Sequence, residues 1–235
     1  MSMLSTLRRD LISARDRDPA ARSSIEIAIC YSGVHALWSH RICHALWCKD
    51  FKFLARVGAS LARWLTGVEI HPAAILGEGV FIDHASGVVI GETAEVGDDV
   101  TLYQGVTLGG TSLDPVKRHP TIGNRVTIGA GAKVLGAITI GDDSRIGANA
   151  VVVKSVPPNS VVVGVPGQVI ARSRPHLATD RPDLESAFMP DLLGSSLQAL
   201  LSRVDELELI VEGQKEHHDV RPSKAGVWLG EDFSI

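Results

Sequence analysis

Thirteen copies of a six-residue unit run through the middle of this chain and constrain its fold more than any other feature. Each unit starts on an aliphatic residue: Ile70, Leu76 and Ile82; Ile90, Val96, Leu102 and Leu108; then Ile122, Ile128, Val134, Ile140, Ile146 and Val152. Eight of these starts are followed at once by glycine, at 77, 91, 97, 109, 123, 129, 141 and 147. With 23 glycines in 235 residues, scatter would supply only one or two, so the period is real. Four residues after the start stands a small or branched side chain, as at Ala74, Val80, Ala94, Val100, Val126, Ala132 and Ala150. Even spacing puts both positions on one strand face.

A hexad is too short for a helical unit and fits one short strand plus a corner, with glycine supplying corner dihedrals that other residues enter only with strain. Three sides close a coil of roughly 18 residues, so the pattern predicts a triangular solenoid whose coils bury their aliphatic rows only against one another. Two places break the count. Two extra residues enter between Ile82 and Ile90, within Asp83-His84-Ala85-Ser86-Gly87, and between Leu108 and Ile122 the chain leaves the wall through a loop carrying Lys117-Arg118-His119-Pro120. Breaks in a regular solenoid are where function tends to sit.

Residues 1–66 read as an α-helical domain, 67–172 as the solenoid and 173–235 as an extension with a helix and a tail. In the first segment Ser23-Ser24 can cap a run through Ile25, Ile27 and Ile29, and Gly33 interrupts before Val34, Leu37, Trp38, Ile42, Leu46 and Trp47 repeat at helical spacing. Three of the four tryptophans fall there, which predicts a packed cap on one end of the solenoid. Pro157-Pro158 and Pro166-Gly167 punctuate the end of the wall. A proline-bearing link from Pro175 to Pro190 leads to an amphipathic helix with Leu197, Leu200, Leu201, Val204, Leu207 and Ile210, and the polar remainder ends on Phe233-Ser234-Ile235.

Net charge −4 and a pI near 6.1 argue against a nucleic-acid or anionic-membrane surface, and no apolar run approaches a bilayer span. The start, Met1 to Asp10, lacks the apolar stretch of a signal peptide, so the expected location is the cytoplasm. Cys30, Cys43 and Cys48 make neither an even disulfide set nor a metal pair and read as reduced, mostly buried thiols.

The run Gly67-Val68-Glu69-Ile70-His71-Pro72-Ala73-Ala74, together with Asp83-His84-Ala85-Ser86-Gly87, Gly91-Glu92-Thr93-Ala94, Gln104-Gly105-Val106-Thr107-Leu108-Gly109-Gly110-Thr111, Arg118-His119-Pro120 and Gly164-Val165-Pro166-Gly167, resembles the serine O-acetyltransferases. Arg17-Asp18-Pro19-Ala20 and Gly33-Val34-His35-Ala36-Leu37 extend the likeness to about residues 10–170. The resemblance implies a mainly β protein with a left-handed parallel β-helix, an exception to the right-handed rule for parallel crossovers. It also implies a homotrimer or dimer of trimers with active sites between adjacent walls, transfer of acetyl from acetyl-CoA to L-serine in cysteine biosynthesis, and inhibition by L-cysteine. Acetyl-CoA is then a co-substrate, and neither a permanently bound cofactor nor a metal is expected.

Residue roles follow from the same match. A serine hydroxyl is a poor nucleophile at neutral pH and needs a base, and His84 in the broken hexad is matched to that part. A catalytic histidine needs a carboxylate to orient it; Glu69, nearly one coil earlier, matches that position, where many members have Asp. Asp18 and Asp83 match residues near the substrate ammonium, and Arg118 with His119 those at its carboxylate, where an Arg fork suits two hydrogen bonds. By spacing alone Asp18-Pro19 is an ordinary turn and Lys117-Arg118 a solvated loop face; only the resemblance raises them. Gly110, Ala130 and Ala148 match positions facing the cofactor, with Arg145 and Lys154 available for its phosphates, although small residues in repeats are also simply structural. His71 reads as packing or capping. A terminal Ile235 on a tail implies docking to O-acetylserine sulfhydrylase.

Three other readings compete. A hexapeptide acetyltransferase for a sugar or xenobiotic hydroxyl would have no use for both an ammonium and a carboxylate clamp. A metal-dependent hydratase would need three converging histidines, and His71, His84 and His119 lack the paired spacing for one. A non-catalytic scaffold would not need His84.

Overall fold

Every hexad start is the second residue of a strand two or three residues long, and its side chain points into the core. The computed structural model describes residues 3–172 and 192–212. Thirteen such strands stack as three parallel walls. The first holds β1 (Glu69–Ile70), β4 (Val89–Ile90), β7 (Thr107–Gly109), β10 (Lys133–Leu135) and β13 (Val151–Val152). The second holds β2 (Ile75–Leu76), β5 (Glu95–Val96), β8 (Thr121–Ile122) and β11 (Thr139–Ile140), and the third β3 (Phe81–Ile82), β6 (Thr101–Leu102), β9 (Thr127–Ile128) and β12 (Arg145–Ile146). This is the triangular solenoid expected from the repeat, in the left-handed parallel β-helix form that the resemblance implies.

The walls hold together by burial. Ile90, Leu102, Leu108, Ile128, Val134 and Ile140 are wholly buried, and the small residues four places on, Ala74, Val80, Val100, Val126, Ala132 and Ala150, close the corners beside them. Each large aliphatic side chain contributes about 1.5–3 kcal/mol, but only while the coil above or below covers it. The wall also runs further than Pro157-Pro158 suggests: Val156 bridges to Ile140, and β14 (Ser160–Val163) pairs with β12 before β15 (Gln168–Arg172) turns back antiparallel and ends the stack.

The glycines that follow the hexad starts are there for a different reason from the one their sequence suggests. None of the eight has positive φ. They stand where coils touch: a Cβ on Gly77 would lie 2.6 Å from the Gly97 carbonyl carbon, and one on Gly141 would lie 2.4 Å from Pro158 N. The left-handed corner position is two residues further on, where Gly79, Asp99, Arg125, Asp143 and Asn159 take φ of 66, 55, 55, 60 and 55°.

Four helices precede the walls: α1 (Met3–Arg17), α2 (Ser24–Cys30), α3 (Ser32–Cys48) and α4 (Lys52–Thr66). Ser23 caps α2 by accepting from Glu26 N at 3.1 Å. The break between α2 and α3 falls at Tyr31, with ψ 102°, and Gly33 lies inside α3. A Cβ there would sit 2.0 Å from the Ile82 carbonyl oxygen, so glycine permits α3 to press its backbone onto β3. The first coil has no neighbour beneath it, and the helices cover its exposed polar backbone. Arg41 donates to the carbonyls of Leu76 and Gly77 at 2.6 and 2.5 Å, and Ser13 to that of Gly79 at 2.7 Å. The cap is less tightly packed than three tryptophans suggest, since Trp64 is 82% exposed. Of the cysteines only Cys43 is buried; Cys30 and Cys48 are exposed, and all three are free.

Residues 3–172 belong to one compact unit and the described C-terminal helix, α5 (Leu192–Glu212), to another. That helix spans the predicted amphipathic segment. The Pro175 to Pro190 link and the tail with Ile235 lie outside the described residues. No helix among those described is long and apolar enough to cross a membrane.

Candidate active site

The two breaks in the hexad count fall on two different edges of the first wall, and each gathers a cluster of ionisable groups. At the edge joining the third wall to the first, the two inserted residues force a tight turn in which His84 and Ala85 take φ of 55 and 53°. Ala85 is buried, and the His84 side chain is thrown outward, 72% exposed. Its Nε2 lies 3.7 Å from Asp83 Oδ2. Burial pushes the Asp83 carboxyl up; His84 pulls it down, and Asp18 adds to the upward push. Asp18 therefore shares this edge. It accepts from Ala20 N at 2.8 Å and from the Tyr31 hydroxyl, and that second bond, more than burial, pushes the Tyr31 phenol up to about 12.

The helical part positions Asp18 and Tyr31 because α3 lies against β3, the strand leading into Asp83. Tyr103 completes the cluster: the pairing of Ile82 with Leu102 sets it one coil above Asp83, and burial followed by the Asp83 charge raises its phenol. Tyr31 and Tyr103 are the chain's only tyrosines. Above His84 the same corner position is filled in successive coils by Gln104, Ala130 and Ala148, each two residues past a third-wall start in register with Ile82. The candidate cofactor positions Ala130 and Ala148 thus rise in a column from the candidate base. Arg145 lies on β12 of the third wall.

At the opposite edge of the first wall the protruding loop returns to form a groove of about 470 Å³ lined by Glu69, His71, Glu92, Gly110, Arg118 and His119. Arg118 Nη2 donates to Glu92 Oε2 at 2.5 Å, and Lys117 donates to Glu95 Oε1 and to the Thr93 carbonyl at 2.8 and 2.7 Å. His119 is 8% exposed, and burial, then the neighbouring Arg118 charge, lowers its pKa. Its ring lies over Gly91, where a Cβ would come within 2.0 Å of the imidazole Cδ2. His71 accepts from Ala73 N at 3.0 Å and packs edge-on against Trp47, the capping part expected of it.

The sequence-derived residues therefore assemble into two groups. Asp18, Asp83 and His84 share one edge with the Ala130 and Ala148 column above it; Gly110, Arg118, His119 and Glu69 share the groove. Glu69 pairs with Arg63 at 2.9 Å, and its carboxylate forms no ion pair with His84. Tyr31, Tyr103, Glu92 and Thr93 are the members of these clusters to which sequence reasoning gave no part. No three His, Cys, Asp or Glu side chains among the described residues are grouped to hold a metal ion.

Comparison with known proteins follows this geometry. A family described as bacterial transferase hexapeptide (six repeats) matches residues 119–154. A serine acetyltransferase of Mycobacterium tuberculosis is 59% identical over 234 residues, covering 99% of this chain and 100% of the relative. The crystal structure of Neisseria gonorrhoeae serine acetyltransferase in complex with serine matches with a TM-score of 0.70 at 43% identity, over 72% of this chain and 69% of that one. A serine acetyltransferase structure in complex with cysteine matches with a TM-score of 0.72 at 40% identity, over 73% and 67%.

Proposed function

The chain belongs to the serine acetyltransferases, which move an acetyl group from acetyl-CoA to the hydroxyl of L-serine, and from that premise we propose how its residues divide the work. His84 Nε2 takes the proton from the serine hydroxyl as that oxygen attacks the thioester carbonyl. The tetrahedral intermediate then collapses to O-acetylserine, and the departing CoA sulfur recovers the proton from the imidazolium. Asp18 and Asp83 hold the serine ammonium beside the base. Arg118 and His119 hold its carboxylate, and the acetyl-CoA arm runs along the Ala130 and Ala148 column, with Gly110 at the groove and Arg145 toward the phosphates. Glu69 is assigned to supporting the imidazolium, a role that requires it to exchange Arg63 for the His84 ring.

One observation carries this reading: the ammonium-binding base cluster and the carboxylate clamp lie on different edges of the same wall. A serine molecule is far too small to bridge both. The separation supports a site built from the His84 edge of one copy and the Arg118 groove of the next, as in a homotrimer with cyclic contacts. The test is complementation. His84→Ala and Arg118→Ala chains should each be nearly inactive, whereas co-assembled mixtures should regain about a quarter of wild-type activity, because one interface in four pairs two intact halves. No recovery in verified mixed oligomers would overturn the shared site.

L-cysteine carries the same ammonium and carboxylate as serine and is assigned to the same clamps as an inhibitor. Its presence in a related structure supports this. Three free cysteines fit a reducing, cytoplasmic setting. Ile235 is assigned to docking with O-acetylserine sulfhydrylase; deleting it should abolish co-elution of the two enzymes, and unchanged co-elution would remove the assignment.

A further inference from the structure

Beside the groove, the Thr93 hydroxyl contacts the backbone of both clamp residues and the ring of His119, and it has no part in the scheme above. We propose that Thr93 is a positioning residue that holds His119 as its Nε2–H tautomer and thereby fixes the donor offered to the substrate carboxylate. The inference rests on the reading of His119 as part of that clamp.

The argument is a count of protons and lone pairs. A threonine hydroxyl has one proton and two acceptor sites. Both acceptor sites of Thr93 Oγ1 are taken by backbone donors, Arg118 N and His119 N, each at 3.0 Å. Its proton is left for the remaining neighbour, His119 Nδ1, at 2.9 Å. The backbone N–H of Thr93 points at the same Nδ1 from 3.2 Å. An N–H can only donate, so two donors converge on Nδ1 and that atom must carry the lone pair.

The ring proton of neutral His119 is therefore on Nε2. This atom has no hydrogen-bond partner among the described residues. A Cβ would come within 2.1 Å of it if built on Gly91 and within 3.1 Å if built on Gly110, so it lies over the glycine floor of the groove. Protonating Nδ1 would bring a third proton against the Thr93 N–H and a hydroxyl with no acceptor site to spare. Burial and the neighbouring Arg118 charge independently lower the pKa of His119 and so favour the neutral ring. The opposite tautomer would present a lone pair at Nε2 to a carboxylate, acceptor against acceptor.

The motif Gly91-Glu92-Thr93-Ala94 then has a purpose at each position. Gly91 makes room for the imidazole, Glu92 holds the Arg118 guanidinium, Thr93 sets the tautomer while holding the loop backbone, and Ala94 is buried in the core.

The test compares Thr93→Val, which keeps the branched shape without the hydroxyl, with Thr93→Ser, which keeps the hydroxyl; Thr93→Ala replaces the valine variant if that one does not fold. Nitrogen NMR of ¹⁵N-histidine-labelled enzyme, with His119 assigned by substitution, reads the tautomer without substrate. The expected result is an Nε2–H ring in the wild type and the serine variant and a mixture of the two ring tautomers in the valine variant, where only the longer backbone donor at 3.2 Å remains. Serine KM should rise about tenfold in the valine variant, the equivalent of one hydrogen bond, with acetyl-CoA KM nearly unchanged. A ring that stays wholly Nε2–H without the hydroxyl overturns the inference, while a raised serine KM in His119→Ala leaves the clamp itself standing. An unchanged serine KM in His119→Ala overturns the clamp and the inference with it.

Discussion

The two edges of the first wall each carry a histidine assigned a part in the proposed reaction, and they hold it in opposite ways. His84 is 72% exposed, in a left-handed turn, with a single carboxylate 3.7 Å from its Nε2. His119 is 8% exposed, and its backbone and ring are both bonded to Thr93. The contrast matches what each group must do. A base changes charge during the reaction and must meet both substrates, so it stays open until another surface covers it. A clamp must present the same donor to every substrate, so it is preorganised by bonds present before binding.

The largest effect should come from the open edge. His84→Ala is expected to lower kcat by about 10²- to 10⁴-fold, the usual worth of a general base, while serine KM changes little, because the ammonium and carboxylate clamps remain. Release of the CoA thiol with serine as acceptor measures both constants. A variant that keeps its kcat and loses only affinity for serine would make His84 another binding group and erase the contrast between the edges.

Much of this was legible in the sequence, and the rest was hidden for identifiable reasons. The walls could be read from thirteen starts because burial in a hexad solenoid leaves a strict aliphatic period. The purpose of the glycines could not, since close approach between coils and positive φ both select glycine, and only the stacked geometry separates Gly77 from Gly79. Tyr103 was within reach of register arithmetic: Asp83 and Tyr103 each follow a paired third-wall start, Ile82 and Leu102. Tyr31 was not, because its place depends on how α3 meets β3. Glu92 and Thr93 stand 26 residues before Arg118 and His119, the offset that also pairs Val96 with Ile122, so they lie one coil below; the inserted loop stretches that coil past roughly 18 residues and hides the register. The base cluster and the clamp were named from the resemblance; their placement on separate edges follows only from the wall order.

A smaller effect should distinguish the edges by pH. Burial raises the Asp83 carboxyl above its ordinary value, with His84 opposing and Asp18 adding to the shift. In the proposed reaction the ionised form is the one that holds the substrate ammonium. As pH falls through this raised pKa, Asp83 takes a proton, and serine KM should climb toward about tenfold per pH unit, starting above the ordinary carboxylate value of about 3.9. The inhibition constant of L-cysteine should climb in parallel, since it carries the same ammonium. Asp83→Asn should show a high serine KM that no longer varies in this range. Its stability should move the other way: a carboxyl with a raised folded-state pKa stabilises the fold only while protonated, and that contribution is lost as pH rises through the pKa. At neutral pH the asparagine variant should therefore unfold at higher denaturant concentration than the wild type. A variant that binds serine normally, or that is less stable at pH 7, would show Asp83 to be a structural partner of His84 and leave Asp18 alone to hold the ammonium.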